Sequence, residues 1–155
     1  MIKEFFTISV LSLFVASATG QTMGPGLFLH NHTNEPVYVS AAYWSLSPSS
    51  YALHSQGWVR VNPRQTKQIL RGSQIGILQQ YDYCGYYAIS QSGKEYGGDW
   101  QLAVNPKDSY NISNADLPYV LQENSAREQR GFRIWYYQRN ILGDPKLHQE
   151  IHLRY

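Results

Sequence analysis

The chain has 155 residues, with 13 lysines and arginines against 11 aspartates and glutamates, and a single cysteine. This near balance of charge argues against the basic footprint of a nucleic-acid-binding domain. One cysteine cannot form an intramolecular disulfide, so the fold must be held together by core burial, to which an aromatic content of 14% contributes.

The N-terminal segment predicts export. Lys3 precedes a short apolar run, and Ala16-Ser17-Ala18 supplies small residues for cleavage. The run is too short to span a bilayer comfortably, since a spanning helix needs about 20 apolar residues. We therefore predict a signal peptide over residues 1–20 and a single β-domain over residues 21–155, with a short leader over residues 21–26. The predicted location is secreted or periplasmic, and membrane contact is expected only through the signal segment before cleavage.

The middle of the chain shows strand patterning. Residues 37–43 alternate, with valines, alanine and tyrosine on one face, and residues 57–61 alternate in the same way. Asn62-Pro63-Arg64-Gln65 is typical of a turn, so residues 66–70 are expected to return as the second strand of a hairpin. The serine-rich residues 45–55 are expected to form a loop.

The later part of the chain continues the same alternation of short strands and turns. Residues 74–80 are predicted as a further strand, and residues 132–138 as an aromatic one. Residues 117–130 have helical leanings because Ser125-Ala126-Arg127-Glu128 matches a capping box. Residues 147–155 alternate between an apolar face and a wet face of His148, Glu150, His152 and Arg154. The chain is therefore predicted to be all-β: a single-domain antiparallel β-sandwich or barrel with at most one short helix.

Three aromatic strand motifs carry a family resemblance. They are Pro36-Val37-Tyr38-Val39, Ser55-Gln56-Gly57-Trp58, and Tyr86-Tyr87-Ala88 followed by Trp100. Over roughly residues 27–100 this pattern resembles the bacterial family called domain of unknown function 1036. The resemblance implies a small exported β-domain with no established activity or ligand. A cysteine that many family members carry after the Trp strand is absent, so the disulfide that the resemblance implies is absent too.

The histidines suggest no complete metal site. His30 and His32 share one face of a strand, but zinc normally takes three or four protein ligands, and no third one is nominated by sequence. His148 and His152 lie about 13 Å apart on a strand, too far to share an ion. No metal and no cofactor are predicted.

Catalytic motifs are also missing. The chain contains no Gly-x-Ser-x-Gly elbow and no Ser-x-x-Lys pair. Cys84 is expected to be a buried small side chain, more than about 5 Å from every imidazole, since an activated nucleophile needs a base within hydrogen-bond reach. We therefore predict that the protein is not an enzyme.

Aromatic side chains are the remaining candidates for binding. Trp58 is expected to be buried, whereas crowded aromatics on strands cannot all point inward. The candidate binding residues are Tyr86, Tyr87, Tyr96, Trp100, Trp135 and Tyr137. The predicted function is an exported, non-catalytic β-domain with a binding or interaction role in the cell envelope and an unidentified protein or glycan partner. The alternatives are a glycan-binding module that uses the aromatic clusters and, less favoured, a small hydrolase.

Overall fold

The computed structural model describes residues 25–47, 50–75, 83–114, 126–136 and 148–155, which form ten strands and one short helix. The elements are β1 (Gly26–Asn31), β2 (Val37–Ser47), β3 (Ser50–Val61), β4 (Thr66–Arg71), α1 (Gly72–Ile75), β5 (Tyr83–Ser90), β6 (Glu95–Tyr96), β7 (Trp100–Val104), β8 (Tyr110–Ser113), β9 (Glu128–Tyr136) and β10 (His148–Leu153). This architecture confirms the predicted all-β class. The predicted signal peptide lies outside the described residues. Within the described part of the chain, no helix is long and apolar enough to cross a membrane.

A three-stranded sheet joins the two ends of the described chain. β1 is its central strand, with β4 on one side and β10 on the other. β4 runs antiparallel to β1, whereas β10 runs parallel to it and places His152 opposite His30. On the inner face Leu27, Leu29 and Ile151 are buried. The parallel pair departs from the predicted antiparallel pattern, because the first and last strands meet here through the whole intervening chain and not through a hairpin.

The other strands form a seven-stranded sheet that is curled into a half-barrel. Its order is β7-β9-β5-β2-β3-β8, with β6 added to β5, and every pair is antiparallel. Side chains tie the two edges of the sheet together. Asn114, directly after β8, accepts a hydrogen bond at 2.6 Å from the backbone N–H of Ala103 in β7, and Ser55 in β3 donates to the Ala103 carbonyl.

Two hydrophobic cores follow from the alternation of side chains along these strands. In β2, Val37, Val39, Ala41 and Tyr43 are buried and pack towards the three-stranded sheet, as the alternation predicts. The opposite face of the seven-stranded sheet lines the inside of the curl. A second core fills this space, and its buried members are Ala42, Tyr87, Leu102, Val104 and Phe132.

Two predicted connections are wrong. Residues 45–55 are not a loop, because β2 and β3 form one long hairpin in which Ser47 pairs with Ser50. β4 does not return on β3 but crosses to the other sheet and pairs with β1. The turn itself is present, since the N–H of Gln65 donates to the carbonyl of Asn62 at 3.1 Å. A local turn motif specifies a change of direction without specifying the partner strand.

The expectations for residues 74–80, for residues 117–130 and for the C-terminal strand have different outcomes. Within residues 74–80, Gln74 and Ile75 end the short helix α1, and the remainder lies outside the described residues. Glu128, the last residue of the predicted capping box, begins strand β9, and most of residues 117–130 lies outside the described part. In the C-terminal strand Ile151 and Leu153 are buried and His152 is exposed, as predicted.

Candidate functional site

A groove of about 450 Å³ opens at one end of the second core. This volume lies within the range of small-molecule sites, which favour the mouths of β-barrels. The groove is lined by Tyr38, Trp58, Arg60, Ile89, Pro106, Lys107, Asp108 and Ser109.

Strand register explains why these side chains meet. Ile89 of β5, Tyr38 of β2 and Arg60 of β3 are direct neighbours in one row across the sheet. Because alternate residues on a strand share a face, Trp58 points to the same side as Arg60. The loop between β7 and β8 supplies the opposite rim, including Lys107.

Trp58 was expected to be buried, but it is only half-buried. Its ring packs edge-on against Tyr87 and Tyr110, with centroid separations of 6.0 Å in both cases. Its indole N–H donates to the carbonyl of Asn105 at 2.7 Å. The ring therefore belongs partly to the second core and partly to the groove, because β3 places it at the open end of the curl.

The charged rim of the groove is built on polar contacts. Arg60 Nε donates to Asn62 Oδ1 at 3.1 Å, and the backbone N–H groups of Lys107 and Asp108 donate to Asn105 Oδ1 at 3.0 and 3.3 Å. This Asx turn holds the Lys107 loop in place. In the described part of the chain neither Arg60 nor Lys107 forms an ion pair, so both cations are available to a ligand.

The aromatic residues nominated from sequence do not form one surface. Tyr86 is 5% exposed and Tyr87 is 1% exposed, so both belong to the cores and neither reaches a surface ligand. Tyr96, Trp100 and Trp135 are half-buried, and Tyr137 lies outside the described residues. Consecutive tyrosines on β5 face opposite sides of the sheet, and in this fold both sides of β5 are covered by a core.

A different aromatic cluster, not predicted as a unit, forms at the other end of the curl. Tyr83 contacts Trp44, Trp100 and Tyr136 at centroid separations of 6.2, 5.6 and 6.0 Å. The rings are inclined to Tyr83 by 87°, 65° and 58°, so they form an edge-on cluster and not a flat platform. Tyr136 is 67% exposed. The cluster depends on the pairing of Tyr83 in β5 with Tyr136 in β9. Strand pairing cannot be read from the sequence alone, so no sequence signal located the cluster.

Three histidines converge on the outer face of the three-stranded sheet. One nitrogen from each of His30, His32 and His152 lies within 4.8 Å of the others. The rings are nearly parallel, with His152 4.4 Å from His30 and 5.1 Å from His32 between centroids. His152 supplies the third imidazole that the sequence did not nominate. The parallel β1–β10 register brings this residue, 120 positions from His32, next to the pair, so the third candidate ligand comes from a distant strand.

Polar neighbours orient this histidine cluster. Thr66 Oγ1 lies 2.7 Å from His30 Nδ1, and Glu150 Oε2 lies 3.3 Å from His30 Nε2 and 3.5 Å from His152 Nε2. His32 Nε2 and His152 Nδ1 share a hydrogen bond at 2.9 Å. Burial lowers the pKa of His30 below its ordinary value, and His152 and His32 act in the same direction while Glu150 opposes them.

Cys84 is fully buried within the first core and lines none of the described cavities. Its partners there are side chains of that core, as expected for a small apolar residue.

Comparison with family models, with curated proteins and with solved structures finds no match to this chain.

Proposed function

We propose that the chain is an exported, non-catalytic β-domain that binds a small ring-bearing anion, such as an acidic sugar, in the groove at the end of the second core. One observation carries the proposal: the rings of Tyr38 and Trp58 line the same groove as the cations Arg60 and Lys107. Ligand sites of this kind combine apolar and aromatic walls with a few polar groups that fix orientation.

The charges of the groove favour an anion. Two cationic side chains stand against one carboxylate, that of Asp108, and neither cation has an ion-pair partner in the described structure. A guanidinium can hold a carboxylate through two parallel hydrogen bonds, which gives Arg60 the larger role. Aromatic faces beside it would pack against the apolar face of a sugar ring.

Binding of an acidic oligosaccharide tests the proposal. Isothermal titration calorimetry with oligogalacturonate, and with a neutral oligosaccharide of equal length, should give saturable binding of the acidic probe alone. Replacing Arg60 and Lys107 together by alanine should weaken that binding at least about tenfold, since a hydrogen bond to a charged group is worth about 1.5–3 kcal/mol. The control is Lys94→Ala, an exposed lysine that lies over the ring of Tyr96. No binding of the acidic probe, or equal binding by the double variant, would refute the proposal.

Two alternatives receive less support. A glycan module built on an aromatic platform would need coplanar rings, whereas the cluster around Tyr83 is edge-on. A hydrolase would need a base beside its nucleophile. The described lining of the groove offers Asp108 and Ser109 without a histidine or a cysteine.

Export is the other part of the proposal and rests on the N-terminal sequence. Lys3, the apolar run after it and Ala16-Ser17-Ala18 have the layout of a cleaved signal. Mass spectrometry of the native protein should find its first residue between Thr19 and Met23. A mature pool that still begins at Met1 would contradict export. Membership of the domain of unknown function 1036 family stays a prediction.

A further inference from the structure

We infer that the histidine cluster on the three-stranded sheet is a binding site for a divalent transition-metal ion, with His30, His32 and His152 as nitrogen ligands and Glu150 as an oxygen ligand. This site is separate from the groove of the proposed function. It lies on the other sheet, on the face that points away from the first core.

The backbone brings the four ligands together on one side of two strands. Residues 30 and 32 share a face of β1, and residues 150 and 152 share a face of β10. Because His30 is directly opposite His152 in the parallel pair, these two faces are the same surface of the sheet. The inner faces of the same strands bury Leu29 and Ile151, which fixes the direction in which the histidines point.

The distances from Glu150 to two of the histidines already match a tetrahedral ion. Metal–nitrogen bonds of about 2.0–2.1 Å place neighbouring ligand atoms about 3.3 Å apart. Glu150 Oε2 already lies 3.3 Å from His30 Nε2 and 3.5 Å from His152 Nε2. The spread among the three imidazoles, up to 4.8 Å, is wider than a tetrahedral edge. The three rings now stack nearly parallel, so the exposed rings of His32 and His152 must turn about their side-chain bonds to direct a nitrogen at a common ion.

A second layer of contacts orients the least exposed ligand. His30 Nε2 is buried and has no hydrogen-bond partner among the described residues, although it lies at ion-pair distance from Glu150. On the other side of the ring, Nδ1 is 2.7 Å from the hydroxyl oxygen of Thr66, the residue opposite His30 on β4. When Nδ1–H donates to this hydroxyl, the lone pair of Nε2 faces the cluster. Metal-binding histidines typically use their second nitrogen in this way.

The ligand types narrow the choice of ion. Imidazole nitrogens suit zinc, copper, nickel and iron, whereas calcium and magnesium require shells of oxygen. Three imidazoles and one carboxylate oxygen are a complete set for Zn²⁺, which takes four ligands in structural sites. Zn²⁺ is therefore the probe of choice, and Ca²⁺ is not expected to compete with it.

Calorimetric titration of the purified, untagged chain with ZnCl₂ tests the inference. We expect one Zn²⁺ per chain. His152→Gln and His32→Gln should each weaken binding at least about tenfold, and both residues are exposed, so folding should be preserved. Thr66→Val, which alters only the orientation of His30, should weaken binding about 10- to 100-fold. The matched control is His54→Gln, a histidine of β3 that stacks on Tyr43.

A spectroscopic measurement separates this site from loose surface binding. Co²⁺ bound by four ligands should give strong visible absorption, which the His152→Gln variant should lose and the His54→Gln variant should keep. No saturable Zn²⁺ binding would overturn the inference. Binding that is equally tight in the His32, His152 and Thr66 variants would overturn it too, because the ion would then be held elsewhere.

Discussion

Asn31 is the residue whose buried polar contacts do most to shape one end of the molecule. Its side chain is 1% exposed. Nδ2 donates to the carbonyls of Glu35 and Val61 at 2.8 and 3.0 Å, and Oδ1 accepts from the N–H and the hydroxyl of Thr33 at 2.9 and 2.7 Å. One amide thus links the end of β1, the following turn and the end of β3.

Replacing Asn31 with alanine should destabilise the protein. The change removes the side-chain partner of the Val61 carbonyl and of the Thr33 N–H, and each buried polar group left unsatisfied costs about 1–3 kcal/mol. Chemical denaturation should show a lower midpoint with an unchanged slope. Asn111→Ala is the control, because Asn111 is exposed and the bond that its side chain donates to the hydroxyl of Tyr43 is 3.4 Å long. An equal effect of the two substitutions would contradict this role of Asn31.

At the level of elements, glycines allow the chain before β7 to lie close to β9. A Cβ atom built on Gly131 would lie 2.0 Å from the carbonyl oxygen of Gly98, and Gly98 N–H donates to the Gly131 carbonyl at 3.0 Å. Backbone meets backbone here, so no side-chain rotation can relieve a clash.

Gly131→Ala should therefore lower the melting temperature. Overpacking typically costs about 1–3 kcal/mol, and a backbone clash should lie at the upper end of that range. Differential scanning calorimetry provides the measurement. Gln129→Ala, an exposed position two residues earlier on β9, should leave the melting temperature nearly unchanged. If the two variants melt alike, the close approach at Gly98 does not limit stability.

A turn-to-turn contact should make stability depend on acidity. Glu35, between β1 and β2, accepts hydrogen bonds at 2.7 Å from both the hydroxyl and the N–H of Ser92, and these bonds lower the pKa of its carboxyl group. Because the carboxyl group has a lower pKa in the folded chain than in the unfolded chain, its ionised form stabilises the fold. This stabilisation is complete at pH values above the unfolded-state pKa and is lost as the pH falls through the folded-state pKa. Unfolding measured from neutral pH to below pH 4 should show Glu35→Gln losing less stability on acidification than the unchanged chain. Ser92→Ala should have the same effect, and an unaltered pH profile in both variants would argue against it.

For the whole molecule, the last strand is an integral part of the first core. Ile151 is 1% exposed and contributes to the cluster between the sheets. Ile151→Ala should lower the free energy of unfolding by about 2–5 kcal/mol, as expected when a buried isoleucine is truncated. Tyr155→Ala should change the free energy of unfolding little. Tyr155 is 70% exposed, although by alternation it falls on the same face as Ile151. Denaturant titration of both variants gives the comparison, and a mild effect of Ile151→Ala would mean that β10 is not needed for the core.

The sequence by itself determined one buried face of β2 and the wet face of β10. Alternation in β2 correctly predicted the inward face of Val37, Val39 and Ala41, and alternation in β10 correctly predicted the wet face that carries Glu150 and His152. These features are local, because side chains of a strand point alternately to its two faces whatever the strand pairs with. The all-β class followed from the same property.

Only the tertiary structure decided which strands are neighbours. The pairing of β4 with β1, the parallel docking of β10 and the closure of the curl by Asn114 join residues far apart in the chain, and alternation carries no information about the partner. Both candidate sites depend on such pairing. His152 reaches His30 across the parallel β1–β10 pair, and Arg60 reaches the β5 side of the groove through β2, so neither constellation exists as a motif in sequence.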